Sequence, residues 1–297
     1  MPYDFHLLDV FTEHRFGGNQ LAVLPDARGL TPPTMQAIAA EFGFSETTFV
    51  QPGADDAHDC AVRIFTPRAE IGFAGHPTIG TALLLARLGR VRRDGDVGHL
   101  VMAQRAGTVP VEIRFAGERA VTAELTAPAR PTSAPGPAPA ATAVALSLAP
   151  SEILASHLAS AGTSFVLVEV ASAEVLGRTT SPSLERLRAL GELAGEGILV
   201  FCRRPANPEH DIQARMFAPA HGIVEDPATG SAAVALAGLL ASEARGDGWR
   251  RWRIGQGIEM GRPSLLLARA RRERDRVVEA RVAGAAVHVA TGEIEVE

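Results

Sequence analysis

The chain carries one short pattern twice, and this constrains its fold more than any other feature. Arg63-Ile64-Phe65-Thr66-Pro67 is followed by His76-Pro77-Thr78-Ile79-Gly80-Thr81-Ala82. Arg215-Met216-Phe217-Ala218-Pro219 is followed by Asp226-Pro227-Ala228-Thr229-Gly230-Ser231-Ala232. The first parts lie 152 residues apart and the second parts 150, in a chain of 297. Chance can produce one such match. Two in order, at a nearly constant offset of half the chain, point to duplication. A pseudo-twofold, two-lobed protein would set the two segments facing each other across a cleft. The length allows two domains of roughly 150 residues, each able to bury its own core.

The stretch between Arg130 and Glu152 carries no charge and includes Pro131, Pro135, Pro137, Pro139 and Pro150. Proline at that density defeats a membrane helix and reads as an extended linker. A boundary there gives an N-terminal lobe, 1–128, and a C-terminal lobe, 129–284, with a last strand at about 285–297 completing the first lobe. Strands are expected at Asp4–Val10, Ala61–Thr66, Phe165–Val170, Ile198–Phe201 and Ile212–Phe217. Helices are expected at Pro32–Phe42, Pro77–Leu88, Leu184–Leu193 and Pro227–Ala244, several with proline in the first turn. Strands dominate again from Arg253 onward. The mixture lacks regular βαβ alternation, so the fold class is α+β.

Composition removes several functions. All 29 basic residues are arginine, and arginine cannot supply the deprotonatable amine that Schiff-base chemistry needs. Pyridoxal phosphate enzymes, Schiff-base aldolases and lysine-dependent phosphate loops are excluded. A net charge of −5 argues against nucleic acid or anionic membrane as partner. Met1–Leu8 has no signal-peptide pattern. Cys60 and Cys202 form no CxxC, so a reduced, cytoplasmic protein is expected. Nine histidines contain neither HExxH nor HxH, and no metal site is expected. There is no GxSxG elbow or Gly-rich dinucleotide loop. Trp249-Arg250-Arg251-Trp252-Arg253 reads as an amphipathic strand, and Arg269–Arg276 as a solvated mixed-charge turn.

Both repeated segments read as helix starts. Helix N-termini expose unpaired N–H groups and a positive dipole end, which suit a small carboxylate. Gly75 and Gly230 would let backbone approach a ligand, beside His76, Asp226 and Ser231. The plain alternative makes His76 and Asp226 ordinary N-caps. The duplication favours a site. Glu46, in Phe42-Gly43-Phe44-Ser45-Glu46-Thr47, is an acid among aromatics, where desolvation would tune a general acid/base. Its alternative is a strand opener pointing to water. Gly17-Gly18-Asn19 could offer Asn19 to a substrate, and Arg262, in a hairpin connection, could clamp a carboxylate.

Taken together, Asp9-Val10-Phe11-Thr12, Gly18-Asn19, Ser45-Glu46-Thr47-Thr48-Phe49-Val50, Phe65-Thr66-Pro67, Phe73-Ala74-Gly75-His76-Pro77, Glu225–Ala232 and Gln256-Gly257 resemble the PhzF family of phenazine-biosynthesis isomerases. The resemblance spans residues 4 to about 264. It implies a diaminopimelate epimerase-like fold, with two pseudo-symmetric lobes, each a mixed sheet curled around a central helix. It implies a glutamate at Glu46 that moves a proton without metal or organic cofactor. His76, Asp226, Gly75, Gly230 and Ser231 would line the pocket, and a homodimer would be expected. The chain departs from the family at Gln20, where proline usually follows Gly-Asn. The paired cysteines of related epimerases fall at Ala74 and Pro227, so a thiol-based racemase is not expected. The expected activity is a cofactor-independent isomerase acting on a small carboxylate-bearing metabolite. The alternatives are a non-catalytic carboxylate-binding protein and a hydrolase or lyase variant.

Overall fold

The computed structural model describes residues 2–53, 55–191 and 197–296. The chain divides into two compact units, Met1–Pro128 with Ala283–Glu297, and Ala129–Val282.

In the first unit, strand Pro2–Val10 runs antiparallel to both Asn19–Leu24 and Ala286–Glu295. Asn19–Leu24 is parallel to Glu46–Pro52, with Leu21 opposite Glu46. Helix α1, Pro32–Phe42, makes the crossover between them. Prolines fill its first turn, where an N–H would be unpaired anyway, and the Thr31 hydroxyl accepts from Thr34 N–H. Its apolar face, Met35, Ile38 and Ala39, packs on Leu24, Phe49 and Phe65. Glu46–Pro52 is antiparallel to Cys60–Phe65, which is parallel to Val97–Gln104. Hairpins add Gly107–Ala116 and Arg119–Thr126. Helix α2, Gly75–Arg87, is buried at every position from Gly75 to Leu85. A helix apolar on all sides needs protein on all sides, and this one forms the unit's centre. The Thr48 and Thr81 hydroxyls, 2.9 Å apart, tie α2 to the strand that begins at Glu46.

The second unit repeats this order of pairings. Ile153–Ser160 is antiparallel to Ser164–Val170, which is parallel to Ile198–Cys202. Ile198–Cys202 is antiparallel to Ile212–Ala218, which is parallel to Gly248–Gln256. Gly248–Gln256 is antiparallel to Ser264–Glu273. Helix α3, Pro139–Leu146, precedes these strands, and α4, Ala173–Arg178, and α5, Leu184–Arg188, lie in the parallel crossover. Helix α6, Gly230–Glu243, is buried from Gly230 to Ala241. It is this unit's counterpart of α2.

Several sequence expectations need correction. The proline-rich stretch is not an extended linker. It holds strand Thr132–Pro135 and helix α3, whose Ala143 and Leu146 join the core of the second unit. Pro139 sits in the first turn of α3, which proline suits. Pro131 packs so closely on α6 that a Cβ at Gly238 would fall 2.4 Å from its Cβ. Helix α6 begins at Gly230, not Pro227, because Asp226 is still paired with Met216 across a strand ladder. Helix α5 ends at Arg188; positions 192 and 193 of the expected helix lie outside the described residues. Arg269–Arg276 is mostly strand, and only Arg274 and Asp275 form the turn, both with left-handed φ. Trp249 lies on the expected strand, and the Arg269 guanidinium sits 4.4 Å from its ring centroid.

Candidate functional site

Glu46 opens its strand directly after Ser45 and is only 9% exposed, so it is not a solvent-facing strand opener. Phe42 and Phe44 stack just before it, with centroids 6.2 Å apart. Its Oε2 lies 3.5 Å from Nε2 of His76. His76 is the second residue of α2 and is not an N-cap; that position is Ala74, which caps with no side chain. The first turn of α2 is anchored instead by Thr78, whose hydroxyl donates to Ala74 C=O at 2.7 Å. Gln104 donates to the Thr78 hydroxyl in turn, at 2.8 Å.

Burial drives the His76 pKa down to about 3, opposed by a hydrogen bond with the Gln20 backbone. The imidazole is therefore neutral at physiological pH. Asn19, which begins the neighbouring strand, places its Nδ2 3.2 Å from His76 Nδ1. The Asn19 Oδ1 accepts from the Ser45 hydroxyl at 3.0 Å. Ser45, Asn19, His76 and Glu46 thus form one polar cluster where α2 starts.

The second unit builds a different cluster at the start of α6. The Thr229 hydroxyl donates to Asp226 Oδ2 at 2.5 Å. Gln256 Nε2 donates to Asp226 C=O at 2.7 Å and to the Thr229 hydroxyl at 3.1 Å. Gln256 Oε1 accepts from Thr229 N–H at 3.2 Å. Thr229 holds the N-cap position of α6, so Asp226 is not the N-cap either. Gly257 follows Gln256 with φ +72°, and a Cβ there would meet Arg262 C=O at 2.5 Å and Pro227 C=O at 2.6 Å. Only glycine fits without moving the Asp226 turn. Arg262 lies in the same connection, its N–H closing on Gly257 C=O at 3.0 Å. Ser231 and Gly230 occupy the first turn of α6, both buried. Neither Gly75 nor Gly230 has a left-handed φ, so both are ordinary first-turn helix residues.

Sequence reasoning had not singled out Ser45, Thr78, Gln104, Thr229 or Gln256 as site residues. Ser45 and Thr229 were visible as neighbours of chosen residues. Gln256 stood in the quoted Gln256-Gly257 motif without a role, and Gln104 comes from a distant strand with no local signal to mark it. Among the described residues, no group of three or more His, Cys, Asp or Glu is arranged to hold a metal ion. Among the same residues no helix is long and apolar enough to cross a membrane.

A helix-centred sheet built twice in one chain defines the epimerase-like isomerase fold. A hydroxyproline epimerase from Agrobacterium vitis shares it, with a TM-score of 0.67 at 12% identity, covering 99% of this chain and 92% of that one. The particular family follows from the sequence comparison. The family model described as phenazine biosynthesis-like protein matches residues 8–292, and the chain belongs to that PhzF family. A PhzF-family phenazine biosynthesis protein from Bacillus anthracis superposes with a TM-score of 0.90 at 25% identity, covering both chains fully. An uncharacterised isomerase of Mesorhizobium japonicum is 38% identical over 98% of each chain. The trans-2,3-dihydro-3-hydroxyanthranilate isomerase of Pseudomonas fluorescens is 33% identical, covering 98% of this chain and 99% of that one. The chain is accordingly an isomerase of PhzF type.

Proposed function

We propose that this isomerase moves a proton on a small carboxylate-bearing metabolite, with Glu46 as general acid/base and without a metal or organic cofactor. The observation that carries the reading is the buried Glu46 carboxylate 3.5 Å from a neutral imidazole. A carboxylate in that setting can take a proton from carbon and return it to another carbon of the same substrate. His76 steadies it as a neutral neighbour. The first-turn N–H groups of α2, near Gly75, and of α6, near Gly230 and Ser231, suit a carboxylate. Asp226 suits a substrate amine or hydroxyl. The relatives' substrate, trans-2,3-dihydro-3-hydroxyanthranilate, is the first compound to try. Cytoplasmic residence and a homodimer belong to the same reading.

Incubation with that compound in D₂O tests it. The wild-type protein should yield isomerised product carrying deuterium. Glu46→Gln should lose at least about 100-fold in turnover, the usual scale of general acid/base catalysis, while still binding. Undiminished turnover in Glu46→Gln removes Glu46 from the mechanism. Tight binding with no isotope exchange would favour a binding protein, and a product of different mass a hydrolase or lyase.

A further inference from the structure

We propose that Gln256 is a positioning residue. Its side-chain amide makes the Thr229 hydroxyl a one-way donor to Asp226, and so holds the Asp226 carboxylate as an oriented acceptor for a substrate amine or hydroxyl. That Asp226 meets a substrate rests on the reading above; the brace itself does not.

The direction of each bond follows from groups that cannot reverse. A backbone N–H only donates, and that of Thr229 lies 3.2 Å from Gln256 Oε1. A backbone carbonyl only accepts, and that of Asp226 lies 2.7 Å from Gln256 Nε2. These two contacts fix which end of the amide is oxygen and which is nitrogen. The nitrogen also lies 3.1 Å from the Thr229 hydroxyl, which therefore accepts there. The hydroxyl has one proton, and Asp226 Oδ2, 2.5 Å away, takes it. Gln256 is only 1% exposed, so it acts through Thr229 and not on a ligand.

The first unit carries the same device with a different ending. Strand Val97–Gln104 is parallel to Cys60–Phe65, with Met102 opposite Cys60. Gly248–Gln256 is parallel to Ile212–Ala218, with Ile254 opposite Ile212. Gln104 and Gln256 thus close equivalent strands, at the offset that separates Arg63 from Arg215. Gln104 Nε2 lies 2.8 Å from the Thr78 hydroxyl, which donates to Ala74 C=O. Each unit therefore fastens the start of its central helix with a buried glutamine and a threonine hydroxyl. In the first unit the hydroxyl ends on backbone, which serves the fold. In the second it ends on a side-chain carboxylate, which gives Gln256 a task that Gln104 lacks.

Turnover of trans-2,3-dihydro-3-hydroxyanthranilate by the intact protein tests the brace. Gln256→Glu keeps the shape, but a carboxyl group has at most one proton where the amide has two. It cannot serve both the Asp226 carbonyl and the Thr229 hydroxyl, and KM should rise at least about tenfold with a smaller change in kcat. Thr229→Val loses the hydroxyl and should do the same, whereas Thr229→Ser keeps it and should stay within about threefold of wild type. Because the two residues act in series, Gln256→Glu should add little once Thr229→Val is present. Equal KM values for Thr229→Ser and Thr229→Val, or single effects that multiply in the double variant, overturn the proposal. If Gln256→Glu fails to fold, the two Thr229 variants still decide. A second measurement needs no turnover. Threonine-selective ¹³C labelling should reveal a slowly exchanging Thr229 hydroxyl proton, assigned by its loss in Thr229→Val. In Gln256→Glu that proton should shift and exchange at least about tenfold faster. No protected hydroxyl in wild type, or the same signal in Gln256→Glu, overturns the brace. A wild-type protein with the protected hydroxyl but no turnover upholds the brace and counts against the isomerase reading alone.

Discussion

Arg215 and Arg63 hold equivalent places in the two repeats, yet their removal should differ severalfold in cost. Each guanidinium lies over the phenylalanine two residues on, at 5.1 Å from the Phe217 ring centroid and 5.2 Å from that of Phe65. Each makes a two-pronged pair with a glutamate, Arg215 with Glu225 and Arg63 with Glu70. Their surroundings differ. The side chains of Arg215 and Glu225 are 10% and 14% exposed, those of Arg63 and Glu70 25% and 22%. Arg215 Nη1 also donates to the carbonyls of Thr179, Gly177 and Leu176, at 2.8, 3.2 and 3.3 Å. It thereby closes the end of α4. Arg215→Met would strand a largely buried carboxylate and take this donor from the Thr179 and Gly177 carbonyls, while Leu176 C=O keeps the Thr179 N–H and hydroxyl, a loss of about 3–5 kcal/mol. Arg63→Met breaks a wetter pair with no carbonyl partners and should cost about 1 kcal/mol or less. Two units need not unfold in one step, so native-state hydrogen exchange is the suitable assay. Amides of Ile198–Cys202 report on the second unit and those of Glu46–Pro52 on the first. The double variant Arg215→Met/Glu225→Met should recover much of the loss, since no charge is then stranded. Equal losses at the two arginines, or no recovery in the double variant, would refute the reasoning.

Two further outcomes follow from the site. The His76 pKa is about 3 in the folded protein against an ordinary 6.5, so between these values the unfolded chain binds the proton and the folded one does not. Stability should be full above pH 6.5 and fall as the pH drops toward 3, by up to about 5 kcal/mol; urea midpoints of His76→Gln should depend less on pH over that window, and parallel curves would contradict it. Gly257→Ala should place a methyl against two carbonyls at left-handed φ and shift the Asp226 turn. A loss of about 2 kcal/mol or more is expected, together with a raised KM for the substrate. Wild-type stability and KM would show that the turn yields at no cost.

Much of the scaffold was legible because it is local. Helix α1 carries its own signals in Thr31, Pro32 and Gly43, and its expected bounds match the observed ones. The strand at Ile198–Cys202 is a continuous apolar run, which backbone geometry turns into a buried strand, and Ile212–Ala218 is apolar apart from Gln213 and Arg215. The start of α6 was less legible, because Asp226-Pro227 looks like a helix entry. The strand partner Met216, on the preceding strand, and the Gln256 side chain, 30 residues on, decide otherwise. Proline density misled at 131–150 for the same reason. Proline forbids a helix interior, but it does not forbid a short strand, a helix start, or packing against α6.

The residue types and the duplicated order are properties of the linear chain, since identity and spacing need no coordinates. They restrict the chemistry to carboxylates, imidazoles, hydroxyls and amides, and they mark Glu46, His76 and Asp226. Burial and direction are different quantities. Whether Glu46 meets water or an imidazole, and whether Asn19 meets water or a ring, depend on strands and helices 26 to 57 residues apart in the chain. Those contacts exist only after the sheet has curled around its helix, because hydrogen bonds and desolvation act over a few ångströms of space and take no account of distance along the chain.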